Sequence, residues 1–182
     1  RQIVSCDPQN LIWVMPAKGN IAFIRLSNKS LEALLFLRRF SMTEFERAII
    51  IANSNQSVRS DLTSIISSED LLIAADGGGK HCLDAGWTPQ VIIGDLDSIS
   101  QSALNELITL GTEVLTYPVR KNETDLELAI TLAIKKGVKE VIVLSALGGR
   151  WDHTLGNIML LAHNRFEAAR IRILDSNQEI SL

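Results

Sequence analysis

Residues 71–98 read LLIAADGGGKHCLDAGWTPQVIIGDLDS, and the fold class is decided in this stretch. It opens on Leu71–Ala75, an apolar run of strand length bounded by turn residues, as a buried strand should be. Asp76 and three glycines follow. Lys80–Ala85 then reads as a helix stopped at Gly86, a residue that takes positive φ without strain. Val91–Ile93 is a second apolar, β-branched run. Strand, helix and strand in this order form one βα repeat of a largely parallel sheet.

The same alternation continues on both sides. Upstream, Ala48–Ala52 is expected to be the first strand of the series and Ser60–Ser67 a short helix. Downstream, Ser100–Leu110 has apolar residues at helical spacing and ends at Gly111, Glu113–Thr116 returns as a strand, and Asp125–Lys136 repeats the helix-then-glycine pattern. Val141–Leu144 is almost fully apolar and suits the sheet centre. Thr154–Ala162 and Ile171–Asp175 close the series as helix and strand. The expected architecture is α/β, a Rossmann-like three-layer sandwich with a largely parallel sheet. Residues 42–182 form this domain, and residues 1–41 an extension of unknown role. Within the extension Leu11–Val14 and Ile21–Leu26 resemble two strands, and Leu31–Phe40 resembles a helix.

Composition narrows the function classes. With 46% hydrophobic and 21% charged residues the chain has the make-up of a globular protein, and a formal net charge of −3 offers no general attraction to nucleic acid or an anionic membrane. Any anion must be held by local groups. The apolar run Leu34–Leu37 is interrupted by Arg38 and Arg39, far short of the ~20 apolar residues of a membrane helix. No signal peptide is expected. Cys6 and Cys82 are the only cysteines, distant and without metal-ligand spacing, so neither a disulfide framework nor a zinc site is suggested and a reducing cytoplasm is the expected setting.

Four loops, each where a strand should end, hold the chemistry-bearing residues, on the side where open α/β sheets bind ligands. In Ala75-Asp76-Gly77-Gly78-Gly79 the glycines allow close backbone approach and the helix start offers amides to phosphate; the same loop also reads as a turn capped by Asp76. In Gly94-Asp95-Leu96-Asp97-Ser98 two carboxylates two residues apart can both face a divalent cation, while Asp97, Ser98 or Ser100 can instead cap the next helix. In Lys121-Asn122-Glu123-Thr124-Asp125 a lysine can neutralise phosphate and Asp125 complete an acidic metal shell, or Thr124 simply caps a helix whose positive end Asp125 and Glu127 favour. In Gly148-Gly149-Arg150-Trp151-Asp152-His153 the arginine can grip phosphate and the acid–histidine pair position a hydroxyl; the structural alternative caps the helix with Asp152 and packs Trp151 in the core.

These four loops, in this order, resemble the thiamine pyrophosphokinase family over roughly residues 47–182. The resemblance implies transfer of pyrophosphate from ATP to the hydroxyl of thiamine, giving thiamine diphosphate and AMP, with Mg2+ and a homodimer. It implies Asp95, Asp97 and Asp125 as metal ligands, and Asp97, Asp125 and Asp152 as the catalytic set. Asn53, Asp76, Gly77, Gly78, Lys121, Thr124, Arg150 and His153 would line ATP and the reacting hydroxyl. Which aspartate is a base and which only binds metal stays open. Asn122 stands where the family often has aspartate. The family also continues into a β-rich carboxy-terminal domain that helps form the thiamine pocket, whereas this sequence stops at Leu182, so the expectation is an ATP site with an incomplete thiamine site. The other readings are an ATP-binding regulatory module without catalysis, or a transferase with a different hydroxyl acceptor.

Overall fold

The computed structural model describes residues 45–54, 65–120, 122–148, 150–175 and 178–182, with the backbone of 11–14 and 22–25. The chain divides into two compact units, Arg1–Thr43 and Glu44–Leu182. In the first, β1 (Leu11–Val14) pairs antiparallel with β2 (Ala22–Arg25), with Leu11 opposite Arg25. The expected helix at Leu31–Phe40 lies outside the described residues, as does most of the one at Ser60–Ser67.

The second unit is built on β3 (Arg47–Ile51), β4 (Leu71–Ala75), β5 (Val91–Gly94), β6 (Glu113–Thr116), β7 (Glu140–Leu144), β8 (Arg170–Asp175) and β9 (Gln178–Ser181). They form one seven-stranded sheet in the order β6-β5-β4-β3-β7-β8-β9. All neighbours are parallel except β8 and β9. From β3 the chain steps outward through β4, β5 and β6, then crosses back to lay β7 on the other side of β3. Open α/β sheets bind ligands at such a reversal, beyond the carboxyl ends of the strands.

The helices are α1 (Gly78–Asp84), α2 (Gln101–Thr109), α3 (Asp125–Lys135) and α4 (Trp151–Leu160). Strand alternation assigns them to two faces. Ile49, Ile51, Leu72, Ala74, Ile92 and Leu144 pack with Cys82 of α1 and Leu107 of α2. Ala48, Ile50, Ile73, Val141 and Val143 pack with Ala129, Ile130 and Ala133 of α3 and Leu160 of α4. Both faces being covered, the central strands read as unbroken apolar runs. The result is the three-layer α/β arrangement expected from the sequence. No helix among the described residues is long and apolar enough to cross a membrane.

Two helix starts and one strand depart from expectation. α1 starts at Gly78, two residues before Lys80, because close packing onto β3 overrides the poor helix propensity of glycine. α4 starts at Trp151 rather than Thr154. β9 was not expected: Gln178–Ser181 is mostly exposed and polar, and its strand character comes from pairing with β8, Ile180 against Ile173.

At the amino-terminal end of the sheet, Arg47 grips Asp70 with two bonds of 2.8 Å, from Nε to Oδ1 and from a terminal nitrogen to Oδ2. The same nitrogen donates to the Ile65 carbonyl at 2.9 Å, and the Ser67 amide donates to Asp70 Oδ2 at 2.7 Å. Burial pushes the Asp70 carboxyl up, but the guanidinium and the amide outweigh it and hold the group below the usual carboxylate range. Its stabilisation is therefore present above the unfolded pKa of ~3.9 and lost as pH falls through the lower folded value. Asp70→Asn is expected to cost about 2 kcal/mol at neutral pH, less than a fully buried pair because Arg47 stays partly exposed. In urea titrations the gap from the parent chain should narrow as pH drops below about 4; a gap independent of pH would show that the ion pair does not supply it.

Candidate functional site

The segments that follow β3, β4, β5 and β7 line one cavity of about 820 Å3, within the size range of small-molecule sites. Asn53 and Ser54 follow β3, Asp76 follows β4, Asp95, Asp97 and Ser98 follow β5, and Ser145 and Ala146 follow β7. The start of α3 supplies Thr124 and Asp125, and α4 supplies Asp152, His153 and Asn157, with Arg150 at its cap position.

Local backbone shape sets these side chains. Asp76 (φ 48°), Leu96 (φ 63°) and Ser145 (φ 54°) all hold left-handed conformations that cost a non-glycine residue about 1–3 kcal/mol. Each stands just past a strand tip. The Asp76 amide donates to the Ile93 carbonyl at 2.9 Å, tying the β4 loop to β5. A methyl group on Gly78 would collide with the Ile51 carbonyl oxygen, so glycine is what lets α1 begin against the tip of β3. At Gly77 the corresponding space is filled by the Asn53 side chain. Neither glycine lines the cavity; both shape what lies behind it.

Carboxylate oxygens of Asp76, Asp95 and Asp125 all lie within 4.8 Å of one another. Asp76 is buried and the other two are half-buried. The Asp76 carboxylate accepts from Asn53 Nδ2 at 3.4 Å and from the Ser98 amide at 3.3 Å. Gly94 (φ 150°) sits beneath the cluster, and a Cβ there would stand 3.0 Å from Asp125 Oδ1 and 3.2 Å from Asp76 Cβ. An oxygen-only set with an open cradle matches the preference of a hard divalent cation.

The membership of this cluster departs from the expected metal set of Asp95, Asp97 and Asp125. Asp97 lines the cavity but is exposed and accepts from Ser98 Oγ at 2.9 Å, outside the group of three. The inference that carboxylates two apart share a face holds along an extended strand; the left-handed Leu96 between them breaks that relation. Asp76 takes the third place, and no side chain caps α1, so Asp76 is not the helix cap.

Across the cavity, Arg150 pairs with Asp152, its Nε 3.1 Å from Oδ1 and a terminal nitrogen on Oδ2. The guanidinium holds the Asp152 carboxyl below the usual carboxylate range. His153 Nε2 lies 4.0 Å from Asp152, and both are well exposed. Arg150 occupies the cap position of α4 without a side-chain cap, so Asp152 does not cap this helix either. Trp151 is 86% exposed rather than part of the core. Thr124 closes a capping box with Glu127, and Ser100 caps α2 through the Ala103 amide. Lys121 and Gly149 lie outside the described residues.

Sequence reasoning passed over Ser145 and Asn157. Asn157 donates to the Ala146 carbonyl at 2.8 Å and Thr154 accepts from the Gly148 amide at 3.2 Å, so α4 fixes the loop that leaves β7. Helical spacing was the available signal for Asn157, which stands one turn after His153. Ser145 carries no comparable signal, since its role lies in its backbone.

Residues 62–173, more than half of the chain, match the family model described as thiamin pyrophosphokinase, catalytic domain. The chain belongs to the thiamine pyrophosphokinase family. It is 32% identical over 133 residues to a thiamine pyrophosphokinase of Bacillus subtilis, covering 73% of this chain and 62% of that protein. It is 30% identical to thiamine pyrophosphokinase 1 of Arabidopsis thaliana, covering 70% of this chain and 55% of that protein. The crystal structure of the Bacillus subtilis enzyme aligns with a TM-score of 0.63, over 71% of this chain and 61% of that one. The chain thus spans somewhat over half the length of these family members.

Three like charges this close repel one another when no cation lies between them. Asp95→Asn is therefore expected to raise the melting temperature by about 2–4 °C in chelator, corresponding to ~1 kcal/mol. Added Mg2+ should raise it in the parent more than in the variant. Equal behaviour of the two chains in both conditions would remove the cluster as a cation site.

Proposed function

We propose that this chain transfers pyrophosphate from ATP to the hydroxyl of thiamine, releasing thiamine diphosphate and AMP. The observation that carries the reading is the convergence of Asp76, Asp95 and Asp125, from three separate connections, in the cavity that also presents Arg150 and His153. Relatives named for this activity support it.

The three carboxylates would hold Mg2+, which when bound supplies charge neutralisation for the polyphosphate. Asn53 and the Ser98 amide keep Asp76 oriented toward the cluster. Arg150 brings a positive charge and the guanidinium N–H groups not engaged by Asp152 to phosphate oxygens, and the start of α4, with no side chain capping it, offers backbone amides to the same anion. Lys121 adds a cation in this reading. In the reaction, the thiamine oxygen bonds to the β-phosphorus while that phosphorus parts from the oxygen bridging it to the α-phosphate. AMP leaves with the electron pair, and the hydroxyl proton passes to a carboxylate. Asp97 is the proposed acceptor. It lines the cavity outside the cluster, whereas Asp125 belongs to the cluster and Asp152 is a weakened base beside Arg150. A homodimer, on the family resemblance, and a cytoplasmic setting, on the cysteine usage, complete the reading.

The test is AMP release from ATP and Mg2+ with and without thiamine. Thiamine-dependent AMP is expected in the parent and lost in Asp95→Ala; nucleotide binding without AMP formation would favour a binding module. Asp97→Asn should lower kcat by about 10²–10⁴-fold with KM for ATP and Mn2+ affinity little changed. Retained turnover in that variant would move the proton to another group.

A further inference from the structure

His81 lies on α1, outside the cavity, and its Nε2 is 2.9 Å from the Ser54 carbonyl oxygen. A carbonyl only accepts, so Nε2 carries the proton and donates. The other ring nitrogen, Nδ1, is buried with no hydrogen-bond partner among the described residues. That is a cost an apolar side chain at the same position would avoid, and a buried unmatched polar atom calls for a compensating role. The bond to Ser54 is the compensation on view.

Two hydrogen bonds reach the Ser54 backbone from other described residues. Its amide donates to the Ser145 carbonyl at 2.9 Å, and its carbonyl receives His81. The segment between Ala52 and Ser54 is thereby strapped to the tip of β7 on one side and to α1 on the other, since the Ala52 amide also bonds the Leu144 carbonyl. Asn53, inside this strap, lies against Gly77 and reaches Asp76 Oδ2. The Asn53 contact is long, at 3.4 Å, so a small swing of the strap breaks it.

We propose that His81 is a positioning residue for the carboxylate cluster: by holding the Ser54 carbonyl it keeps Asn53 in reach of Asp76. The inference rests on the reading of Asp76, Asp95 and Asp125 as a cation site. It assigns His81 no contact with substrate or metal. Groups that orient metal ligands typically change affinity 10–100-fold when removed, and His81, acting one residue further out, belongs at the low end of that range.

The experiment titrates the full chain with Mn2+ alone, following free Mn2+ by electron paramagnetic resonance. His81→Leu and His81→Phe remove the donor, and His81→Gln returns an N–H at the reach of Nε2. The first two are expected to weaken Mn2+ binding by about tenfold, and Gln to restore it to within about twofold. Asn53→Ala should show a similar loss, and the double variant His81→Leu/Asn53→Ala no more than Asn53→Ala alone, because the two act in series. Far-ultraviolet circular dichroism identifies which variants are folded, and the Gln and Asn53 arms stand if the apolar ones fail. Unchanged Mn2+ affinity in a folded Leu or Phe variant overturns the proposal, as does additive loss in the double variant or failure of Gln to rescue. No Mn2+ binding by the parent overturns the cation site as well.

Discussion

Like charges within a few ångströms of one another oppose folding, so the scaffold has to hold Asp76, Asp95 and Asp125 in place against their mutual repulsion. That constraint accounts for much of the surrounding structure. β4 and β5 are fully buried and cannot yield, and the bond from the Asp76 amide to the Ile93 carbonyl joins their tips. The capping box at Thr124 fixes the start of α3 and with it Asp125. Gly94 leaves room where any other residue would crowd two of the three carboxylates.

The same need explains why the strained residues gather where they do. Left-handed Asp76, Leu96 and Ser145 each sit where the chain must leave a strand and turn at once into a loop facing the cavity. The buried sheet over-determines these turns. Ile49, Ile50, Ile51, Ile73, Ile92 and Ile142 are essentially inaccessible to solvent, and packing of that density transmits little play to the strand ends. The glycines serve approach as much as turning, since Gly78 brings α1 against the end of β3.

The parallel sheet was legible because its strands are buried on both faces and therefore spell continuous apolar runs. β9 was not, because Gln178, Glu179 and Ser181 have no apolar alternation and pair only through β8. The site loops were legible as a set, through their recurrence at strand ends. What sequence could not supply was the direction of a side chain after a left-handed residue. Leu96 gives no sign of φ 63°, so Asp95 and Asp97 read as partners although only Asp95 joins the cluster. His81 shows no evident partner in the sequence for a related reason: its partner is a backbone carbonyl 27 positions away, which no local pattern records.

The grip of Arg47 on Asp70 has a bearing on how this protein can change over time. It anchors the root of β3, while Asn53 stands just beyond the tip of the same strand, with about 13 Å of fully extended chain between Arg47 and Ile51. Effects at sites this far apart combine nearly independently. Losses of stability incurred by new side chains around the cavity can therefore be made good by improved packing or pairing at the roots of the strands, without disturbing the chemistry at their tips. A scaffold divided in this way leaves its binding end open to variation while its opposite end carries the reserve.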